Sequence, residues 1–548
     1  MRQLVDEFWE WRVAQQPRCA DDLTRVVRPP GWTPDFSSAA IARYRKELAD
    51  FEARWESCDP GSNVADAVDH MLIGSALARV RWELDVLRPW RTNPGFYVDQ
   101  TVGVVFDLLT VPDIDDARMR DVHRALAQTP RILADGRANL DGHAYREFAT
   151  LSATQLATVE SDLAAVVDAL PEYHDMSSAA GAAIDALVEF RGWLAGESAR
   201  FVAAKPVGRE AFERYLRTVA LVPYSVDELL SLGRREAERA AFLERLERQR
   251  NGTPPAARPR PVFSGGAEQS EAQARAEQEV RDFYVARGLL GQPDDLLHYH
   301  THPMPDYLAP IAWAGCADDL TGPDRLDQNG GAYFPPPGPD LPYFYAANAH
   351  DPRAGIVHEG VHYQQLTLSW KHPRAARRWY YDSCVNEGIA FYNEEMVLAA
   401  GLFDDAPTTR EIIYNFMRLR ALRVVVDVGL AAGTLDIPAA AELLEEMVPM
   451  DAATARHEAV FFATTPGQAM TYQVGKTQIL ALLNDAIRAG GPGFELRAFH
   501  DRLWREGNVP IALQRWELLG DRSDIELLGA AHDGAAHDGA AHDGAAHD

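Results

Sequence analysis

Cysteine is scarce in this chain of 548 residues: Cys19, Cys58, Cys316 and Cys384 stand singly and far apart. No Cys-x-x-Cys pair occurs, which argues against a thiolate zinc knot or a thioredoxin-like site. Four thiols in so long a chain form no disulfide framework and suit a reducing compartment. Basic residues are outnumbered, 54 Lys and Arg against 81 Asp and Glu, for a formal net charge of −27. A basic face able to displace phosphate counterions is therefore lacking, and nucleic acid is not an expected partner. Apolar runs are broken by charge well short of the ~18 residues that a membrane span needs. The opening Met1-Arg2-Gln3-Leu4-Val5-Asp6-Glu7-Phe8-Trp9 carries acids where a secretory leader carries a bare apolar run. The expectation is a cytoplasmic protein that engages neither nucleic acid nor membrane.

What is present is a core-forming composition, 47% hydrophobic and 25% charged, patterned chiefly for helices. Val68, Met71, Leu72, Ala76, Val80, Leu84 and Leu87 recur at helical spacing through Val64–Trp90. The segments Ala40–Trp55, Ala144–Leu170, Ala180–Val202 and Val226–Arg248 behave alike, separated by Pro and Gly. Residues 1–250 thus read as a helical N-terminal half. Residues 251–270, rich in Pro, Gly, Ala and Arg, read as a surface loop, and helix resumes over Glu271–Arg287. Residues 271–528 form the second half. Within it, at about 296–348, the runs Leu297–His302, Ala332–Phe334 and Pro342–Ala346 predict a small β-sheet. Residues 529–548 are a Gly-Ala-Ala-His-Asp repeat without a large apolar side chain to bury, read as a disordered tail. The fold class is mainly α: one large helical domain with a small sheet beside the site.

That site is read from His358-Glu359-Gly360-Val361-His362. Residues four apart share a helix face, so both imidazoles can reach one ion. Glu359 lies about 100° round the helix, beside the ion, where a general base takes a proton from the attacking water. A catalytic zinc site needs one more protein ligand and an open position. Lys371-His372-Pro373 ends the motif helix, and a second helix over Ala375–Ala400 brings back Glu387, 25 residues beyond His362, as that ligand. Glu394, seven residues on and on the same face, is placed to hold an imidazole N–H. Glu395 points elsewhere, toward solvent.

Four stretches resemble the bacterial domain-of-unknown-function family 885: His358–Gln365; Glu387-Gly388-Ile389-Ala390-Phe391-Tyr392-Asn393-Glu394; Arg420–Gly429; and Thr465–Gly475. With the Asn93-Pro94 turn, the resemblance spans the chain to about Leu528. That family is similar in fold to the carboxypeptidase Taq family, helical zinc metallopeptidases, and the resemblance implies a gluzincin-like peptidase. There are two departures. Many members insert Pro-Gly before the second histidine, where this chain keeps the tight His-x-x-x-His. Members often carry a His two residues after the glycine matching Gly429, where this chain has Ala431.

Supporting roles follow from chemistry. Tyr472, just after the Pro466-Gly467 break, is a candidate oxyanion donor, or else an aromatic core residue. Arg423 and Asp427, four apart, form an ion pair, or Arg423 anchors a substrate carboxylate. Ala332–Phe334 and Tyr343–Ala346 offer an edge for an extended peptide, or else a hairpin covering the core. His298, His300 and His302 share a strand face, more in keeping with polar decoration than with a second metal site. The leading expectation is a zinc-dependent, carboxypeptidase-like hydrolase binding one Zn2+ and a small peptide, with homodimerisation left open. The alternatives are a metal-dependent hydrolase of a non-peptide amide or ester, and a non-catalytic helical binding protein.

Overall fold

The computed structural model describes residues 1–19, 26–252, 263–338, 341, 343–448 and 450–529. It is 71% helical with one small three-stranded sheet, the mainly-α architecture of a single large domain. Among the described residues no helix is long and apolar enough to cross a membrane. The repeat from Ala530 to Asp548 and residues 253–262 of the Pro-rich segment lie outside the described residues.

The predicted helices form, with ends set by capping chemistry. Ser37 accepts the Ala40 N–H at the start of Ser38–Glu56. Ser225 and Glu228 make a reciprocal capping box at the start of Val226–Asn251. Two segments expected as single helices are broken. Val64–Arg81 continues into a π-helical turn, Trp82–Leu87, and ends at Arg88, whose φ of 50° precedes Pro89. Proline restricts the residue before it and offers no N–H to continue the ladder. The Ala144–Leu170 region divides into Arg146–Gln155 and Val159–Ala169 around a 3-10 turn.

The buried apolar side chains fall into a core in the N-terminal half around Phe8, Leu72, Tyr97, Phe106 and Leu187, and one in the C-terminal half around Tyr284, Val357, Val385, Phe391 and Trp504. Arg377 ties the halves together. Its buried guanidinium meets Asp69 at 2.9 Å, Glu506 at 2.7 Å and Glu517 at 2.5 Å, so carboxylates from three regions converge on the turn between the two site helices.

The sheet has the order β1 (Tyr299–Pro303), β3 (Gly330–Phe334), β2 (Asp318–Asp319). β1 and β3 are parallel, β2 and β3 antiparallel. This corrects two expectations. Ala332–Phe334 belongs to the central strand, paired throughout with β1 and at Ala332 also with β2. Tyr343–Ala346 is not a strand but opens the helix Tyr343–His350. The aromatic run favours β-structure locally, yet it continues into Ala346-Ala347-Asn348-Ala349, where Ala347 and Ala349 are buried; packing overrides the local preference.

Two glycines set the closest helix contact. The helices Ser383–Ala400 and Thr471–Gly490 cross at Gly388 and Gly475. A Cβ on Gly388 would lie 2.7 Å from the Gly475 Cα, and a Cβ on Gly475 would overlap the Cys384 carbonyl oxygen. Because the obstruction is backbone, no rotamer change relieves it. Gly475→Ala is expected to destabilise the protein by about 3 kcal/mol or more, read as a lowered denaturant midpoint. Gly181→Ala, in the helix Met176–Glu197 with open space around it, should instead add about 0.5–1 kcal/mol. Equal midpoints for the two variants would refute the crossing argument.

Candidate metal centre

The motif enters on a π-helical turn, Ile356–Gly360, which runs into the α-helix Val361–Trp370. The second helix begins later than expected. Ala375–Trp379 is a separate short helix, and Ser383–Ala400 starts where the Asp382 carboxylate accepts the Val385 N–H. The hairpin thereby delivers Glu387 to the histidines. Its Oε2 lies 3.3 Å from Nε2 of His358 and 3.3 Å from Nε2 of His362. The two rings are 4.9 Å apart and almost perpendicular, at 88°. All three side chains are buried, at 6%, 2% and 7% exposure for His358, His362 and Glu387.

These residues fit a tetrahedral ion. Ligand atoms at about 2.0–2.1 Å from a zinc stand about 3.3 Å from one another. The Glu387 Oε2 is buried, and despite its proximity to two imidazole nitrogens it takes part in no hydrogen bond of ordinary geometry. Glu359 is also close: ligand-type atoms of His358, Glu359 and His362 lie within 4.8 Å of one another. Two carboxylates therefore compete for the third position. Glu387 is equidistant from both Nε2 atoms and buried, and is the better ligand; Glu359 is half-buried and left beside the point of convergence. Among the described residues, His358, Glu359 and His362 are the one group of three or more such side chains with ligand-type atoms all within 4.8 Å of one another, and Glu387 enters through its two 3.3 Å approaches to the imidazoles. His298, His300 and His302 are not another: His298 Nδ1 meets Glu277 at 2.8 Å and its ring stacks on His300 at 5.4 Å.

Glu394 faces the other nitrogen of the first histidine, its Oε1 2.7 Å from His358 Nδ1. The approach is an ion-pair contact rather than a hydrogen bond of ordinary geometry. The second Glu394 oxygen accepts from Arg420 Nη1 at 2.7 Å, and Arg420 Nη2 lies 3.3 Å from His358 Nδ1. Arg420 sits on the helix Pro407–Ala432 over the rings of Phe391, Phe416 and Tyr472, at 5.1, 5.4 and 5.5 Å. Sequence reasoning passed it over in favour of Arg423, three residues on. The missed signal is charge: a buried Glu394 requires a buried cation, and this helix supplies one.

Arg423 and Asp427 do not pair, contrary to expectation. Arg423 Nη2 donates to Glu458 at 3.0 Å, and its guanidinium lies over the Phe462 and Tyr472 rings. Asp427, fully buried, accepts the backbone N–H groups of Gly467 at 2.8 Å and Met470 at 2.9 Å. Burial pushes its carboxyl up to about 7 against the pull of those backbone bonds. It folds the turn that starts the helix carrying Tyr472. The Tyr472 ring then lies parallel to His358, 6.0 Å away at 12°. Glu395, expected in solvent, is instead paired with Lys476 at 2.7 Å and Arg239 at 2.9 Å.

Asp318, on β2, also belongs to the surroundings and was not foreseen. Tyr299 donates its hydroxyl to Asp318 Oδ1 at 2.7 Å. Burial, and next the charge of Glu359, push the Asp318 carboxyl up to about 7. A strand of two residues has no periodicity by which sequence could reveal it.

Burial and Arg420 oppose charge on His358, but Glu359, Glu387 and Glu394 outweigh them and raise it to about 9. Its folded-state value thus exceeds the ordinary 6.5, so its contribution is fully present below pH 6.5 and lost as pH rises through 9. With chelator present, stability is expected to fall by roughly 2–4 kcal/mol between pH 6.5 and 9.5. Denaturant titrations should show that slope flattened in His358→Gln; an unchanged slope would remove the histidine as its cause.

Two solved structures share the fold. One is described as a "putative lipoprotein of unknown function" from Shewanella oneidensis: TM-score 0.69, 16% identity, covering 94% of this chain and 98% of that one. The other, a "putative lipoprotein" from Colwellia psychrerythraea, has TM-score 0.69 and 14% identity, covering 96% of this chain and 99% of that one. No curated protein matches. The family pattern described as bacterial protein of unknown function (DUF885) matches residues 29–517, and the chain belongs to that family.

Proposed function

We propose that this protein is a metal-dependent hydrolase of peptide-like amides, with His358, His362 and Glu387 holding one zinc ion. The observation that carries the reading is the convergence of three buried ligand atoms, Glu387 Oε2 standing 3.3 Å from each Nε2. A peptidase in particular rests on the sequence resemblance alone, which implies a likeness to the carboxypeptidase Taq family; the two structural neighbours are of unknown function and add nothing to it. Bound there, zinc would supply Lewis-acid polarisation of water and of the scissile carbonyl.

The chain's own residues do the rest. Glu359, beside the ligand cluster and half-buried, takes a proton from the attacking water and returns it to the departing nitrogen. Glu394, itself fixed by Arg420, lies against His358 Nδ1 and limits the orientation of that ring. Tyr472, whose ring lies against His358, is the candidate donor to the oxyanion. Arg423 is the candidate anchor for a substrate carboxylate. Because its Nη2 already holds Glu458, such a substrate must share or displace that partner, so exopeptidase action of the carboxypeptidase kind rests on Arg423 yielding. The same centre would serve a non-peptide amide or ester. The scarcity of cysteine in the sequence supports the cytoplasmic placement; the description of the two structural neighbours as lipoproteins supports a membrane-anchored one, and cell fractionation separates them.

Metal analysis after chelator-free purification should find one zinc per chain. Glu359→Gln is expected to keep the metal and lower hydrolysis of a peptide library by about 100-fold or more. Glu387→Gln should lower metal affinity at least about tenfold. Zinc-loaded protein that cleaves no amide or ester in a Glu359-dependent manner would leave the non-catalytic binding protein as the reading.

A further inference from the structure

The turn that carries the first histidine is held from outside its own helix. Over Ile356–Gly360 the backbone takes the wider π-helical form, in which the hydrogen-bond ladder steps i→i+5. Asn393, on the same helix as Glu387 and fully buried, donates to the Val357 carbonyl at 2.8 Å. The same Nδ2 donates to the Tyr284 hydroxyl at 2.7 Å. Both amide hydrogens are used, one on the backbone beside His358 and one on the helix Gly266–Ala286. Asn393 is uncharged, so its influence on the site is geometric.

We infer that Asn393 is a positioning residue for the metal ligands: by gripping the Val357 carbonyl it fixes the π turn and so the direction of His358 relative to His362 and Glu387. The inference rests on the metal-centre reading above. Its physical basis is angular. Each α-helical residue advances about 100°, so relaxation of the wide turn toward α-helical geometry swings residues before Gly360 round the axis relative to His362. The His358 Nε2 would leave the point it shares with His362 Nε2 and Glu387 Oε2. Since Asn393 and Glu387 belong to one rigid helix, the element that supplies the third ligand also sets the phase of the turn that supplies the first.

The test is zinc affinity of the full-length protein, measured by competition with a chromophoric chelator, together with thermal unfolding of the metal-free form. Asn393→Leu removes the donor with little change in size; Asn393→Ala serves if the leucine variant does not fold. Tyr284→Phe is the control, because it deletes the other partner of the same amide and leaves the Val357 bond. The expected result is affinity about tenfold weaker or more in the Asn393 variant and unchanged affinity in Tyr284→Phe. An Asn393 variant that binds zinc as tightly as wild type overturns the inference alone. Equal losses in the Asn393 and Tyr284 variants also overturn it, assigning the effect to general core damage. A wild-type protein that binds no zinc defeats the metal-centre reading, and the positioning role falls with it.

Discussion

The structure around residue 358 is governed by an imbalance of buried charge. Glu387 and Glu394 are both nearly inaccessible, and one guanidinium, that of Arg420, shares their pocket. A buried carboxylate without a counter-charge is costly enough that the interior must neutralise it. Two neutral imidazoles do not. The neighbouring carboxylates raise the His358 imidazole to about 9, and in the proposed function a cation between Glu387 Oε2 and the two Nε2 atoms would neutralise the same charge. Proton and cation compete for one position, because a ligating imidazole must give up its proton.

The surrounding elements are understood as solutions to that problem. Arg420 balances Glu394, which frees Glu387 to face the histidines. Aromatic rings on three sides of Arg420 exclude water, which strengthens the ion pair but also makes its loss expensive. The glycine crossing at Gly388 and Gly475 lets the helix bearing Glu387 approach the one bearing Tyr472 at backbone contact. Asp427 organises the turn from which that second helix departs. None of these residues touches the point of convergence, yet each limits where a side chain at that point can be.

Much of the centre was legible because helical periodicity is a strong rule. His358 and His362 had to share a face, Glu394 had to share one with Glu387, and the Pro373 break required a return of the chain. The residues that escaped did so for identifiable reasons. Arg420 and Arg423 both follow apolar neighbours at similar spacing, and only burial distinguishes the one inside from the one at the margin. The i,i+4 rule assigned Asp427 to Arg423, but that rule concerns exposed helix surface, and Asp427 is fully buried, where unpaired backbone N–H groups compete more strongly for a carboxylate. The aromatics of Tyr343–Ala346 suggested a strand because β-propensity measures fit to a half-buried surface rather than a backbone preference. The π turn has no sequence signature, since it is a compromise between two helical segments and a neighbour that holds one carbonyl.

That compromise bears on why the third ligand and its supports lie on one helix. In Ser383–Ala400, Glu387, the proposed ligand, faces the two histidines, Asn393 grips the Val357 backbone, and Glu394 lies against the His358 ring. A ligand, a backbone anchor and a ring anchor within two turns make the relative placement of three side chains a property of a single rigid body. The short strand β2 and its Asp318 then enter only at the margin. Precision at such a centre follows from how few independent motions remain, and here the motif turn keeps few motions independent of its partner helix.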